Sequence, residues 1–166
     1  MLLAGVVAAY LPIHASGQSS FKVVPTPNDH TTSADANNEL LGRTLQRSVL
    51  GCTVRPAQLA DVKVCDIVSR QVHGFSRTVE LAEAIQQGTA SVIEREGRMT
   101  GYATVLAFFG HATAETNLDL EALIASVDSF GGPGILVPSQ NNSLFRWCLA
   151  NGLRVVQPLT LISVGF

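Results

Sequence analysis

Two β-rich runs, Ala90-Ser-Val-Ile-Glu-Arg-Glu96 and Met99-Thr-Gly-Tyr-Ala-Thr-Val-Leu-Ala-Phe108, are separated only by Gly97-Arg98. A connection this short, carrying glycine between alternating apolar residues, forces the two runs into an antiparallel hairpin joined at Gly97-Arg98. The chain therefore has to build a sheet around residues 90–108 and cover it with whatever flanks them. On the N-terminal side, Thr53-Val-Arg55 reads as a short strand closed by Pro56, a residue suited to open a helix. Residues Ala57 to Val72 then place Leu59, Val62, Val68 and Val72 near one helical face, with Gly74 as the stop. A second helix is expected over Val79 to Gln87, with Leu81, Ala84 and Ile85 inward and Gly88 ending it.

Beyond the hairpin, Phe109-Gly-His-Ala-Thr-Ala-Glu115 reads as a further strand or as the same strand continued past a kink at Gly110. Thr116 followed by Asp119 has capping-box spacing, and Leu120, Leu123, Ile124 and Val127 behind it share a helical face. Gly131 to Gly134 reads as a loop without the Lys or Ser/Thr of a nucleotide-binding loop. Ile135-Leu-Val137 has the continuous apolar character of a strand buried on both faces. A helix from about Ser139 to Ala150 and one or two strands from Leu153 to Val164, interrupted at Gln157-Pro158, complete the pattern. The fold class this order predicts is α/β: one domain over residues 51–166, a mixed central sheet flanked by helices.

Residues 1–50 read differently. The first 16 residues are apolar, yet shorter than the roughly 18–20 needed to span a bilayer. They resemble the apolar part of a secretory signal, but no Lys or Arg precedes them and Pro12 breaks any helix; a misassigned start or a remnant of something larger fits as well. From Gly17 to about Arg47 the chain is rich in Ser, Thr, Asn, Asp and Pro and is expected to be a disordered tail or linker, with a short helix around Leu40 to Leu45. A formal net charge of -2 excludes the clustered basic surface that nucleic-acid binding needs. Three cysteines without paired spacing point to neither a disulfide framework nor a metal site, and to a reducing, cytoplasmic location.

Asn141-Asn-Ser-Leu144-Phe-Arg-Trp147-Cys148-Leu-Ala-Asn-Gly152-Leu153 is similar to the Asn-to-Gly helix that closes many GNAT N-acetyltransferases. A narrower resemblance, to the C-terminal lobe of tandem-GNAT bacterial proteins of the YitH type, rests on runs in matching order. Among them are Thr53-Val-Arg-Pro-Ala57, His73-Gly-Phe-Ser-Arg77, Gly101-Tyr-Ala-Thr104, Phe108-Phe-Gly-His-Ala112, Gly132-Pro-Gly-Ile-Leu-Val-Pro138 and Gly152-Leu-Arg-Val-Val-Gln-Pro158. The resemblance implies a GNAT-like sheet whose strands near Gly110 and Leu136 splay apart around acetyl-CoA. It implies transfer of an acetyl group to a small-molecule primary amine, without a metal, nucleic acid or membrane. Under it, His111 or Glu115 would be the base and Cys148 the acid. Gly110, His111, Ala112 and Asn141 would lie along the cofactor, with His73 and Arg77 toward the acceptor. The pyrophosphate signature Q/R-x-x-G-x-G/A is replaced here by Ala112-Thr-Ala-Glu115-Thr-Asn117, whose Glu115 would repel phosphate. The alternative is therefore a catalytically silent GNAT-like lobe serving association or small-ligand binding. The resembling proteins run on past Phe166 and carry another lobe, which implies a truncated domain completed by a homodimer or a missing partner lobe.

Overall fold

The hairpin organises the molecule, with its turn one residue earlier than expected. A computed structural model describes residues 18–25, 51–132 and 134–161. In it β3 (Ser91–Arg95) pairs antiparallel with β4 (Arg98–Ala103), and Arg95 stands opposite Arg98. The turn residues are therefore Glu96 and Gly97, both at positive φ (54° and 74°), as a two-residue hairpin turn that follows strand twist requires. A bulge shifts the register between Ile93 and Glu94, so that Ile93 faces Gly101 while Glu94 faces Met99. The extra residue, Thr100, lets Met99 and Tyr102 point to the same face although they are three apart.

β2 (Cys52–Pro56) adds to the free edge of β3, and β5 (Ala112–Ala114) to that of β4, giving a four-stranded antiparallel sheet ordered β2-β3-β4-β5. A 3-10 turn at Leu59–Asp61 leads into α1 (Val62–His73), which ends on Gly74 in the left-handed conformation (φ 80°). Its Val68 and Val72 are buried, as the periodicity required, whereas Leu59, expected on the same face, lies in the 3-10 turn and is exposed. α2 (Thr78–Gln86) follows and packs with α1 over Val92, Met99 and Tyr102. On the opposite face α3 (Asn117–Ala125) and α4 (Asn142–Ala150) cover Ile93 and Ala103.

β6 (Ile135–Pro138) and β7 (Leu153–Leu161) belong to a second, three-stranded sheet ordered β6-β1-β7. Its middle strand corrects the sequence reading: β1 is Gln18–Pro25, inside the segment expected to be linker. It pairs antiparallel with both neighbours, Phe21 opposite Val137 on one side and Pro158 on the other. Ladder bonds on two edges supply what its polar composition could not. β7 is one strand, with a register shift beside Lys22 and Val23 instead of a break at Gln157-Pro158. The apolar start, the remaining linker with its expected helix near Leu40, and residues 162–166 lie outside the described residues. One core joins the sheets, since Ile93 and Ala103 cluster with Ile135, Leu136, Val137 and Leu153. The chain thus adopts the expected mixed α/β layering as a single domain. Among the described residues no helix is long and apolar enough to cross a membrane.

Candidate functional site

The expected strand Met99–Phe108 stops at Ala103, and the chain loops through residues 104–111 before returning as β5. Thr104 closes this loop against His111. The Thr104 amide donates to the His111 carbonyl at 2.9 Å, and the His111 amide donates to Thr104 Oγ1 at 3.1 Å. Gly110 allows the closure, because a Cβ there would collide with the Val105 carbonyl. Phe109, largely exposed, and Val105 carry the loop to the mouth of a cleft of about 530 Å³. Its other walls include Arg77, Glu80 and Glu83 from the start and outer face of α2, with Thr104 and His111.

Alternation along β5 sends Ala112 and Ala114 into the α3–α4 core and His111 and Thr113 to the α1 side. There His111 Nε2 lies 2.8 Å from Thr113 Oγ1 and 3.3 Å from the Tyr102 hydroxyl. His73, the last residue of α1, brings its Nε2 to 2.5 Å from the same Thr113 oxygen. The two imidazoles meet edge-on at 5.3 Å, and Tyr102 stacks on His111 at 5.2 Å. Burial first, then the Arg77 charge, pushes His73 down to about 4; the same causes, with His73 added, push His111 down to about 3. Both rings are neutral at pH 7.

The candidates named by resemblance thus divide. His111, His73 and Arg77 come together; Arg77 lies over the Phe75 ring at 5.1 Å and pairs with Glu80 at 2.6 Å. Gly110 and Ala112 flank His111 in the chain. Glu115 does not face the cleft: Arg98 grips it with two bonds of 2.5 and 2.6 Å and holds its carboxyl below the usual range. Cys148 sits on the other side of β5, fully buried among core residues, where burial pushes its thiol up to about 12. Asn141 caps α4 through Leu144 and exchanges two amide bonds with Asn117, at 2.9 and 2.8 Å. That pairing ties the N-terminus of α3 to that of α4.

Thr113 and Tyr102 complete the cluster and were not singled out by sequence. Thr113 is two residues from His111 on one strand face, a legible signal; Tyr102 needs the β4–β5 register to be placed. Thr116 caps α3, its hydroxyl accepting from the Asp119 amide at 3.3 Å, but the return bond of a capping box is not made: the fully buried Asp119 carboxylate accepts from the Thr116 hydroxyl at 2.7 Å and pairs with Arg95 at 3.4 Å.

The remaining feature is the outer edge of β5. The Thr104 amide reaches the His111 carbonyl, and the Glu115 amide reaches the Thr100 carbonyl at 2.9 Å. Odd-numbered residues of β5 therefore bond to β4, and the main-chain groups of Ala112 and Ala114 turn the other way. On that side no ladder pairs with β5 among the described residues. The lead-ins to β5 and β6 do meet, in a parallel bridge between Ala107 and Gly131.

No known family profile matches the chain, and no curated protein matches it in sequence. Among solved structures it is similar to a Drosophila protein determined by X-ray crystallography, with a TM-score of 0.50 and 11% sequence identity. The match takes in 87% of this chain and 50% of that one, so this chain spans about half the length of the fly protein. At that identity the likeness speaks for the mixed α/β fold alone.

Proposed function

We propose that this domain is a GNAT-type N-acetyltransferase, moving acetyl from acetyl-CoA to a small primary amine. The observation that carries the reading is the outer edge of β5, where the main-chain groups of the buried Ala112 and Ala114 have no strand partner among the described residues. Buried peptide groups are costly when unmet, so such an edge suits an amide-bearing arm that lies along it as a strand would. The pantetheine arm of acetyl-CoA has that character. Amide hydrogens on this edge would also polarise a thioester carbonyl. On the opposite face of the same strand, His111 is a neutral imidazole in the wall of a cleft large enough for a small amine. It would accept a proton as the amine attacks. Glu115, held by Arg98, and Cys148, sealed in the core, have no part in this scheme.

The donor set fits the arm better than it fits the pyrophosphate. At the start of α3 stand Glu115 and the buried Asp119, and Asn117 is occupied by Asn141. Carboxylates compete with phosphate for the same helix end. This favours a second reading, a catalytically silent GNAT-like lobe used for association or small-ligand binding. Calorimetric titration of the full chain with acetyl-CoA separates the two. The acyltransferase reading expects binding and, with a panel of primary amines, release of free CoA thiol. At about a hundredfold excess over Kd, ligand should add about 2.7 kcal/mol of stability. No heat and no thermal shift at millimolar acetyl-CoA would overturn it in favour of the silent lobe.

A further inference from the structure

The charges in the wall of the cleft do not balance. Arg77 and Glu80 pair at 2.6 Å and cancel each other. Glu83, one turn further along α2, has no ion pair or side-chain hydrogen bond among the described residues. Burial keeps His111 neutral at pH 7, and the other lining residues carry no charge, so the Glu83 carboxylate is left over. The charge also has a direction. Glu80, Glu83, Ala84 and Gln87 follow the spacing of one helical face, which sets the carboxylates in line along the cleft. Arg77 marks the end of that line nearer His111: its guanidinium covers the Phe75 ring at 5.1 Å, Phe75 meets His73 at 5.6 Å, and His73 meets His111 at 5.3 Å. From Arg77 to Glu83 the helix rises about 9 Å. Val105 and Phe109 give the same cleft an apolar side. Both hydrogen-bond contacts of His111 use Nε2, and its Nδ1 makes none among the described residues, although the residue is only 4% exposed.

We infer that the cleft selects an acceptor with two amino groups joined by a short alkyl chain, and that Glu83 is the specificity residue holding the second, unreacting ammonium. The inference rests on the acyltransferase reading for the fate of the first. That nitrogen has to lose its charge beside His111 before it attacks, so the site cannot recognise it as a cation. The far nitrogen keeps its proton and offers a carboxylate three donors. A diamine of about five carbons spans roughly the rise from Arg77 to Glu83, with its methylenes against Val105 and Phe109. An amino acid fits the same wall worse. Its carboxylate would reach Arg77 only beside Glu80, which already holds that guanidinium, and would share the cleft with Glu83.

The test offers the full chain, with acetyl-CoA, three acceptors of similar length: pentylamine, cadaverine and δ-aminovalerate, whose far ends are neutral, cationic and anionic. Cadaverine should lead pentylamine in kcat/KM by about 3- to 10-fold at low salt, and the margin should shrink as salt screens the exposed Glu83. Glu83→Gln should cut the margin to about the twofold that two equivalent amines supply, and Glu83→Lys should reverse it in favour of δ-aminovalerate. Melting of both variants controls for folding. Equal kcat/KM for cadaverine and pentylamine, or a margin that survives Glu83→Gln, overturns the inference and leaves the acyltransferase reading standing. Amide NMR shifts of Thr104, Val105 and Phe109 on titration with cadaverine alone give a readout that needs no acetyl transfer. Should no acceptor be acetylated while cadaverine moves these signals in the native chain and not in Glu83→Gln, the acyltransferase reading falls and the diamine site stands. Should neither happen, both fall.

Discussion

At the scale of single residues, two neutral histidines make this fold sensitive to mild acid. His111 has an ordinary value of 6.5 and a folded value of about 3, so between those limits the unfolded chain binds a proton that the folded one refuses. Its contribution is complete above pH 6.5 and is lost as pH falls, by about 1.4 kcal/mol per pH unit. His73 acts in the same direction down to about 4. Glu121, raised by burial, acts in the opposite sense near the bottom of this window, which makes a comparison of variants necessary. Urea unfolding followed by the fluorescence of Trp147 at pH 7, 6 and 5 should show stability falling. In His111→Gln that fall should be shallower by about one histidine's share. Equal slopes would mean that the folded chain tolerates a charged His111. From sequence, His111 and His73 were legible as candidates because a histidine beside glycine at an element's end is unusual. Their coupling was not, since it runs through Thr113, whose hydroxyl looks like any other until register places it.

Among elements, the approach of β5 to β4 depends on Gly101. A Cβ at this position would stand 2.6 Å from the Ala114 Cβ and 2.7 Å from the Thr113 carbonyl oxygen, and main chain cannot step aside as a flexible side chain does. Gly101→Ala should therefore push β5 outward, cost about 1–3 kcal/mol, and move Thr113 away from one of its histidines. A lowered melting temperature together with changed imidazole NMR signals for His73 and His111 is the expected pair of results; an unchanged melting temperature would show that β5 is not held this closely. The element order around this strand was largely readable. Helix stops at Gly74 and Gly88, the helix start at Thr116 and the apolar strand at Ile135 are local signals, and all are found. The early end of β4 was not readable. Residues 104–108 have strand composition, and only the clamp from Thr104 to His111 and the tight contact at Gly110 turn them into a loop.

For the whole molecule, the consequential arrangement is that β6 is paired with β1, while the outer edge of β5 carries no ladder among the described residues. Nothing local in Gln18–Pro25 announces this, because its partners are more than a hundred residues further along and its own sequence is mostly polar; pairing on both sides makes it a strand. As a middle strand it cannot accept proline, which deletes an amide donor and does not fit a central ladder. Lys22 stands opposite Leu136 on β6 and Gln157 on β7. Lys22→Pro should leave a carbonyl on one neighbour without its donor, at about 1–3 kcal/mol, and so speed local opening by about 10- to 100-fold. Amide hydrogen exchange resolves where that loosening goes. Because no ladder links the two sheets, faster exchange should be confined to β6 and β7, with β2 to β4 protected as before. Should β4 and β5 loosen equally, the sheets would be one cooperative unit despite the missing ladder between them. If the loosening stays local, acetyl-CoA bound between β5 and β6 should restore protection to β6 in the variant, since a ligand bridging both edges would do from one side what β1 does from the other.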